Sequence, residues 1–355
     1  MTQIQKPPRN SAIELLRILA MGMIVLSHIC CHSGFDSTYS LLSVNRLFVQ
    51  FGYLGNLGVA VFLMISGYFQ SPFQTRTLSR LLAQVWFYSI GLFLVCRFGF
   101  GYGYSSDMLW QVFLPTVYNE YWFFTAYMVL YLLSPFLNTM LRSLSRGQHR
   151  TMLAVMAFLW VMIPTLTKQH LYGAELAQFL LYYCLGAYLR RYPDNRFQKK
   201  GLRWAAAVGA FAVLYGLTVV LGYCERFTPE AFGTSQRFYD RNGLPVLIAA
   251  LGLFTLAAYG KPFANSFVNA VGGCTFGVYL IHDNPVVREL LWKHWLHWGD
   301  YFTSGSFIPR LMGSVILVYA ACTAIEWLRQ KTVAKPMEKA IDAVLSRLLK
   351  KGSLV

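Results

Sequence analysis

Apolar residues in this chain come in long, nearly unbroken runs, unlike the one-face or alternating patterns of water-facing helices and strands. Ile13–Cys31, Trp204–Gly222 and Phe307–Leu328 are three of them. A helix needs roughly 20 such residues to cross a hydrocarbon layer. Extending this reading along the chain predicts ten spans, at 13–31, 54–70, 81–98, 121–141, 151–166, 174–189, 203–222, 243–259, 267–284 and 308–329. The second and ninth contain glycine and are less uniformly apolar. The expected fold class is all-α, a polytopic integral membrane helical bundle of about ten transmembrane helices. The first run carries Glu14 and Arg17, lacks a small-residue cleavage site and leads into further spans, so it is a span and not a removable signal peptide. The expected division is a transmembrane domain over 1–331 and a basic, amphipathic cytoplasmic tail over 332–355, with no soluble domain on either side. In the tail, Met337, Ile341, Val344, Leu345 and Leu348 share one helical face, with Lys339, Arg347 and Lys350 elsewhere. A helix lying on the inner leaflet and a solvated, frayed tail both fit.

Composition strengthens this picture. Hydrophobic residues make up 56% of the 355 and charged residues 13%, and mean hydropathy is +0.43. A soluble domain carries about 25% charged residues, so half that level cannot cover a water-facing surface. The net charge of +16 raises nucleic acid as a partner, but the Lys and Arg residues sit in short connections and form no basic domain. With alternating spans and an inner N-terminus, 21 of them fall on the inner side and 9 on the outer, Arg17 within the first span completing the 31. That is the positive-inside pattern, with both termini cytoplasmic, and no nucleic-acid partner is expected. The 7 cysteines show no CxxC spacing, so neither a disulfide framework nor a metal site is expected.

Ionisable residues inside spans are costly and usually serve a purpose. Glu14, Arg17 and His28 interrupt the first span. Arg17 and His28 are eleven residues apart, which returns nearly to the same azimuth about 16 Å along the axis. Glu14, three before Arg17, suits an ion pair. A snorkelling anchor pair and a satisfied bundle histidine are the plain alternatives. His282 and Asp283 close the ninth span in FGVYLIHDNP, and Asn119, Glu120 and Trp122 open the fourth in NEYWFF, which places two histidines and two acids at one apparent outer level. Tyr121 and Trp122 taken alone read as interfacial belt. Arg76 and Arg80, four apart at the start of the third span, share a helical face suited to a polyanion, and positive-inside retention explains them equally well.

Taken together, ELLRILAMGMIVLSH, VAVFLMISGYF, RTLSR, YWFFTAYMVLYLLSPFLN and FGVYLIHD resemble acyltransferase family 3, the multi-pass membrane acyltransferases. The YWFF segment looks most like the bacterial surface-polysaccharide O-acetyltransferase branch. The resemblance implies ten core helices in the bacterial cytoplasmic (inner) membrane. It also implies transfer of an acetyl or other acyl group from cytoplasmic acyl-CoA, acetyl-CoA above all, to a sugar at or beyond the outer face. On it, His28 is the catalytic histidine and Arg17 its basic partner, Arg76 and Arg80 hold the CoA end, and Ser66-Gly67 matches a Ser-Gly signature. Some family members carry a fused extracellular esterase-like domain, which is not expected here.

The two readings join in one expected mechanism. Acyl-CoA enters a polar channel along the first helix, and neutral His28 acts as general base on a sugar hydroxyl. Asp283 or Glu120, with His282 beside them, orients or stabilises it; an acyl-histidine is the alternative chemistry. Expected partners are acyl-CoA, a carbohydrate acceptor and membrane lipid, with the oligomeric state open between monomer and homodimer. Segments 32–53, 99–120, 223–242 and 285–307 are expected to set acceptor choice, 223–242 being the most charged through Arg226, Glu230, Arg237, Asp240 and Arg241. A secondary transporter or flippase for an anionic or lipid-linked solute is the competing reading.

Overall fold

Every regular element among the described residues is helical, because a backbone in lipid must satisfy its own hydrogen bonds within its segment. The computed structural model describes residues 10–35, 43–167, 169, 174–225, 227–228, 236–296 and 298–351. The helices are α1 Ser11–His32, α2 Val44–Phe51, α3 Gly55–Phe69, α4 Thr75–Leu94, α5 Ser106–Phe113 and α6 Trp122–Ser143. Then come α7 Arg146–Ala157, α8 Ile163–Thr167, α9 Ala174–Arg191, α10 Lys200–Cys224, α11 Gln236–Tyr239 and α12 Leu244–Ala258. The chain closes with α13 Ser266–Gly272, α14 Thr275–His282, α15 Pro285–Glu289, α16 Phe307–Thr332 and α17 Ala334–Lys351. Among the described residues, 8 helical stretches are long and apolar enough to cross a membrane, and they fall on eight of the expected spans. The expected span at 174–189 is α9, 18 residues long, with Glu175, Arg190 and Arg191 at its ends. The expected span at 267–284 is not one helix. It breaks between α13 and α14, at the Gly272–Gly273 pair.

Residues 1–27, 37–69 and 146–275 form one compact unit, and residues 28–36, 70–145 and 276–355 a second. In the first, glycines let helices approach closely, as packing in lipid favours. Gly67 of α3 lies against the Tyr183 carbonyl of α9, and Gly186 of α9 against the Met64 carbonyl of α3, so a Cβ on either would overlap backbone. The same close approach sets α12 on α10 through Gly252 and Ala207. The start of α1 is pinned by Ser11, whose amide donates to the Phe263 carbonyl at 2.9 Å and whose hydroxyl donates to Asn269 Oδ1 at 2.8 Å.

In the second unit, α17 packs along α4, and the Ser79 hydroxyl donates to Asp342 Oδ1 at 2.9 Å. The tail therefore has a protein surface to cover: Met337, Ile341 and Leu345 are half-buried, whereas Val344 stays 57% exposed. The apolar face of the tail thus has α4 of the same chain as a partial partner. The side chains of Leu348 and Lys350 lie outside the described residues, as do Arg226 and Glu230 of the charged loop.

Candidate active site

Two helix ends supply the centre. α1 finishes in His28-Ile-Cys-Cys-His32, and the four-residue spacing puts the two rings on one face, tilted at 57° with their centroids 5.6 Å apart. α14 finishes at His282, and the next three residues turn the corner into α15. Asn284 is its N-cap, its side-chain oxygen accepting from the amides of Val286 at 3.2 Å and Val287 at 3.3 Å. Pro285 takes the first helical position, where a missing N–H does no harm. The run His-Asp-Asn-Pro is thus a helix stop followed at once by a helix start. It holds three polar side chains, all buried, at a single bend.

His28 Nδ1 lies 3.0 Å from His282 Nε2 and 3.3 Å from Asp283 Oδ1. His282 Nδ1 lies 2.6 Å from the Val278 carbonyl oxygen. A carbonyl only accepts, so His282 Nδ1 carries a hydrogen. In a neutral ring its Nε2 is then an acceptor, and His28 Nδ1 must donate to it. The bonds therefore run in one direction, from His28 through His282 to the backbone, and they leave the lone pair of His28 on Nε2. A neutral imidazole with its Nδ1–H anchored and its Nε2 lone pair free is the form a general base requires. Asp283 sits where it can stabilise a proton gained by that ring, and it is itself bound by Arg288 Nη1 at 3.2 Å.

Glu120 joins the same bend. Asn119 adopts φ +54, a left-handed conformation that Asn tolerates better than most residues, and it turns the chain into α6. The Glu120 carboxylate accepts from the Ser89 hydroxyl at 2.5 Å and from Asn284 Nδ2 at 3.1 Å. Burial pushes its pKa up to about 7, partly offset by those two bonds. Asn284 Nδ2 also donates to the Tyr121 hydroxyl at 3.0 Å. Tyr121 is fully buried, so it belongs to the site and not to an interfacial belt.

The remaining expected site residues lie elsewhere. Arg76 and Arg80 are exposed in the first turns of α4, with no carboxylate partner among the described residues. Counting along α4, they stand about 20 and about 14 Å from Ser89. Glu14, Arg17 and Ser66 belong to the other unit. Arg17 Nη1 reaches Glu14 Oε1 at 3.3 Å, and α1 runs unbroken from Ser11 to His32, so the expected register of Arg17 and His28 holds. The Ser66 hydroxyl donates to the Phe62 carbonyl at 3.0 Å. The neighbouring Gly67 has a packing role.

Sequence reading missed several residues. Asn284 and Arg288 follow directly on FGVYLIHD, and the signal was the Asn-Pro corner. Ser89 carries no signal, being one hydroxyl in an apolar helix. Glu326 and Arg329 of α16 do: a Glu-x-x-Arg step inside an apolar run repeats the Glu14–Arg17 spacing. Arg329 Nε and Nη2 donate to the two Glu326 oxygens at 2.8 and 2.9 Å, and the Tyr88 hydroxyl donates to Glu326 at 2.7 Å. Gly277 of α14, five residues before His282, leaves the space for the Glu326 carboxyl, which a Cβ would meet at 2.6 Å.

Fold and site together define a multi-pass, all-α membrane protein in which a half-buried histidine meets a buried histidine and a buried carboxylate. The chain belongs to acyltransferase family 3, whose acyltransferase domain matches residues 10–327, and is a membrane acyltransferase. Comparison with curated proteins and with solved structures returns no match.

Proposed function

We propose that this protein moves an acetyl group, or another short acyl group, from cytoplasmic acyl-CoA to a sugar hydroxyl of an extracytoplasmic polysaccharide or its lipid-linked precursor. The proposed setting is the bacterial inner membrane, with ten spans and both termini cytoplasmic. The observation that carries the reading is the one-way chain His28–His282–Val278, which leaves His28 Nε2 as a base. His28 takes the proton of the acceptor hydroxyl as its oxygen attacks the thioester carbonyl. The new carbon–oxygen bond forms, the carbon–sulfur bond breaks, and His28 returns the proton to the departing thiolate. Asp283 stabilises the transient imidazolium, and His282 holds the ring in the productive tautomer. Arg76 and Arg80, exposed and without carboxylate partners among the described residues, offer charge-assisted bonds to the CoA phosphates. Their spacing from Ser89 along α4 is of the order of an extended phosphopantetheine arm.

The test is radiolabelled acetyl-CoA with the purified protein. His28→Ala is expected to lower transfer by about 10²–10⁴-fold with the unfolding midpoint unchanged. His282→Gln, whose amide oxygen can still accept from His28 Nδ1, is expected to retain more activity than His282→Ala. Arg80→Ala is expected to weaken acetyl-CoA binding by about tenfold. Retained turnover in His28→Ala would remove it as the base. One observation favours a second reading as a transporter: the break between α13 and α14 is a device that transporters use at solute sites. Well-folded protein that neither binds nor turns over acetyl-CoA would decide for it.

A further inference from the structure

Beside the histidine pair lies a cavity of 210 Å³ lined by His32, Pro285, Arg288, Glu289 and Lys293, all in the second unit. It is one side chain away from the proposed base. The His32 ring centroid lies 5.6 Å from that of His28, and Arg288 binds the same Asp283 oxygen that lies 3.3 Å from His28. The lining is cationic. Arg288 and Lys293 bring two fixed positive charges against a single lining acid, Glu289, which accepts from the Tyr102 hydroxyl at 2.7 Å. Arg288 has five N–H donors. Asp283 takes one at Nη1, and no other acceptor binds Arg288 among the described residues. Lys293 is exposed and has no carboxylate partner among those residues. A planar guanidinium with spare donors beside a mobile ammonium is the pairing that binds a carboxylate or a phosphate.

We infer that this cavity is the acceptor subsite for an anionic sugar unit, held by Arg288 and Lys293 while a hydroxyl of the same glycan meets His28 Nε2. The inference rests on the acyl-transfer reading and adds the acceptor's chemical class to it. It also explains why segment 285–307 carries two cations so close to the reacting histidine: they recruit the acceptor by charge and orient it.

The experiment measures binding to full-length protein without any acyl donor. The probes are trigalacturonate, its carboxyl-reduced neutral counterpart and glycerol phosphate. Wild type is expected to bind trigalacturonate about tenfold tighter than the neutral trimer, the size of one charge-assisted hydrogen bond. Lys293→Gln is expected to erase that preference and Lys293→Glu to invert it. Competition by glycerol phosphate at lower concentration than trigalacturonate would assign the anion as phosphate; the reverse order assigns it as carboxylate. Equal binding of charged and neutral trimers to wild type, or a preference surviving in Lys293→Glu, overturns the inference. Acetyl-CoA turnover is followed in parallel. Preference without turnover keeps the subsite and removes the donor reading, and turnover without preference does the opposite.

Discussion

Glu14–Arg17 in α1 and Glu326–Arg329 in α16 share one sequence spacing and differ in the geometry of the pair and the exposure of the arginine. In α1 a single guanidinium nitrogen spans 3.3 and 3.5 Å to the two carboxylate oxygens, and the Arg17 side chain stays 26% exposed. In α16 two nitrogens make a fork at 2.8 and 2.9 Å, both residues are buried, and Tyr88 and Gln330 add donors at 2.7 Å each. Each glutamate also rests on a glycine, Gly272 for Glu14 and Gly277 for Glu326. The spacing permits a pair, and burial decides its worth. A charge left alone where Glu326 sits has no water to turn to, whereas Arg17 keeps a route to solvent.

The largest expected difference comes from removing one partner. Glu326→Ala strands Arg329, whose Nη1 already has no partner among the described residues, and is expected to cost about 3–5 kcal/mol of stability. Glu14→Ala is expected to cost less, because Arg17 keeps a route to solvent. Unfolding midpoints in detergent measure both, and equal losses would break the contrast.

A third glutamate sharpens it. Among the described residues Glu120 has the neutral donors Ser89 and Asn284, and burial raises its pKa from 4.5 to about 7. The folded protein then holds a proton that the unfolded chain releases above about 4.5, and stability falls as pH rises from there to about 7, levelling beyond. The span is on the order of 3 kcal/mol. Glu120→Gln is expected to flatten that slope, and an unchanged pH profile would remove Glu120 as its source.

The smallest effects come from the glycines. Gly277→Ala presses a methyl into the Glu326 carboxyl and is expected to cost about 1–3 kcal/mol. Gly272→Ala is expected to cost less, because the looser Glu14–Arg17 pair can shift. The opposite order, in the same unfolding measurement, would show that α13 is the more rigid of the two half-helices.

Much of the fold was legible because lipid imposes a length rule: eight of the expected spans coincide with helices long and apolar enough to cross a membrane. The broken span was less legible. Glycines at 272, 273 and 277 looked like weak hydrophobicity, but two of them are places where glutamates of distant segments enter. The tail's amphipathic face was visible too, although a periodicity cannot say whether lipid or α4 covers it. Of the site, His28, His282, Asp283 and Glu120 stood out as ionisable groups in apolar surroundings. Ser89 and Tyr88 did not, since their significance comes only from what they touch.

Sequence alone determined that this chain lives in a membrane, is helical, belongs with the acyltransferases and keeps costly polar groups at the ends of certain spans. The membrane setting, the helices and the polar span ends follow from run length, charge count and residue type, which are properties of short segments, and the family follows from the resemblance of its ordered motifs. Only the tertiary structure decided that His28 Nδ1 meets His282 Nε2 and that His282 in turn is bound to the Val278 carbonyl. The free lone pair of His28 is the outcome of a hydrogen-bond chain across 254 residues of sequence separation. Proton position is set by contact geometry, and no local pattern of residues encodes it.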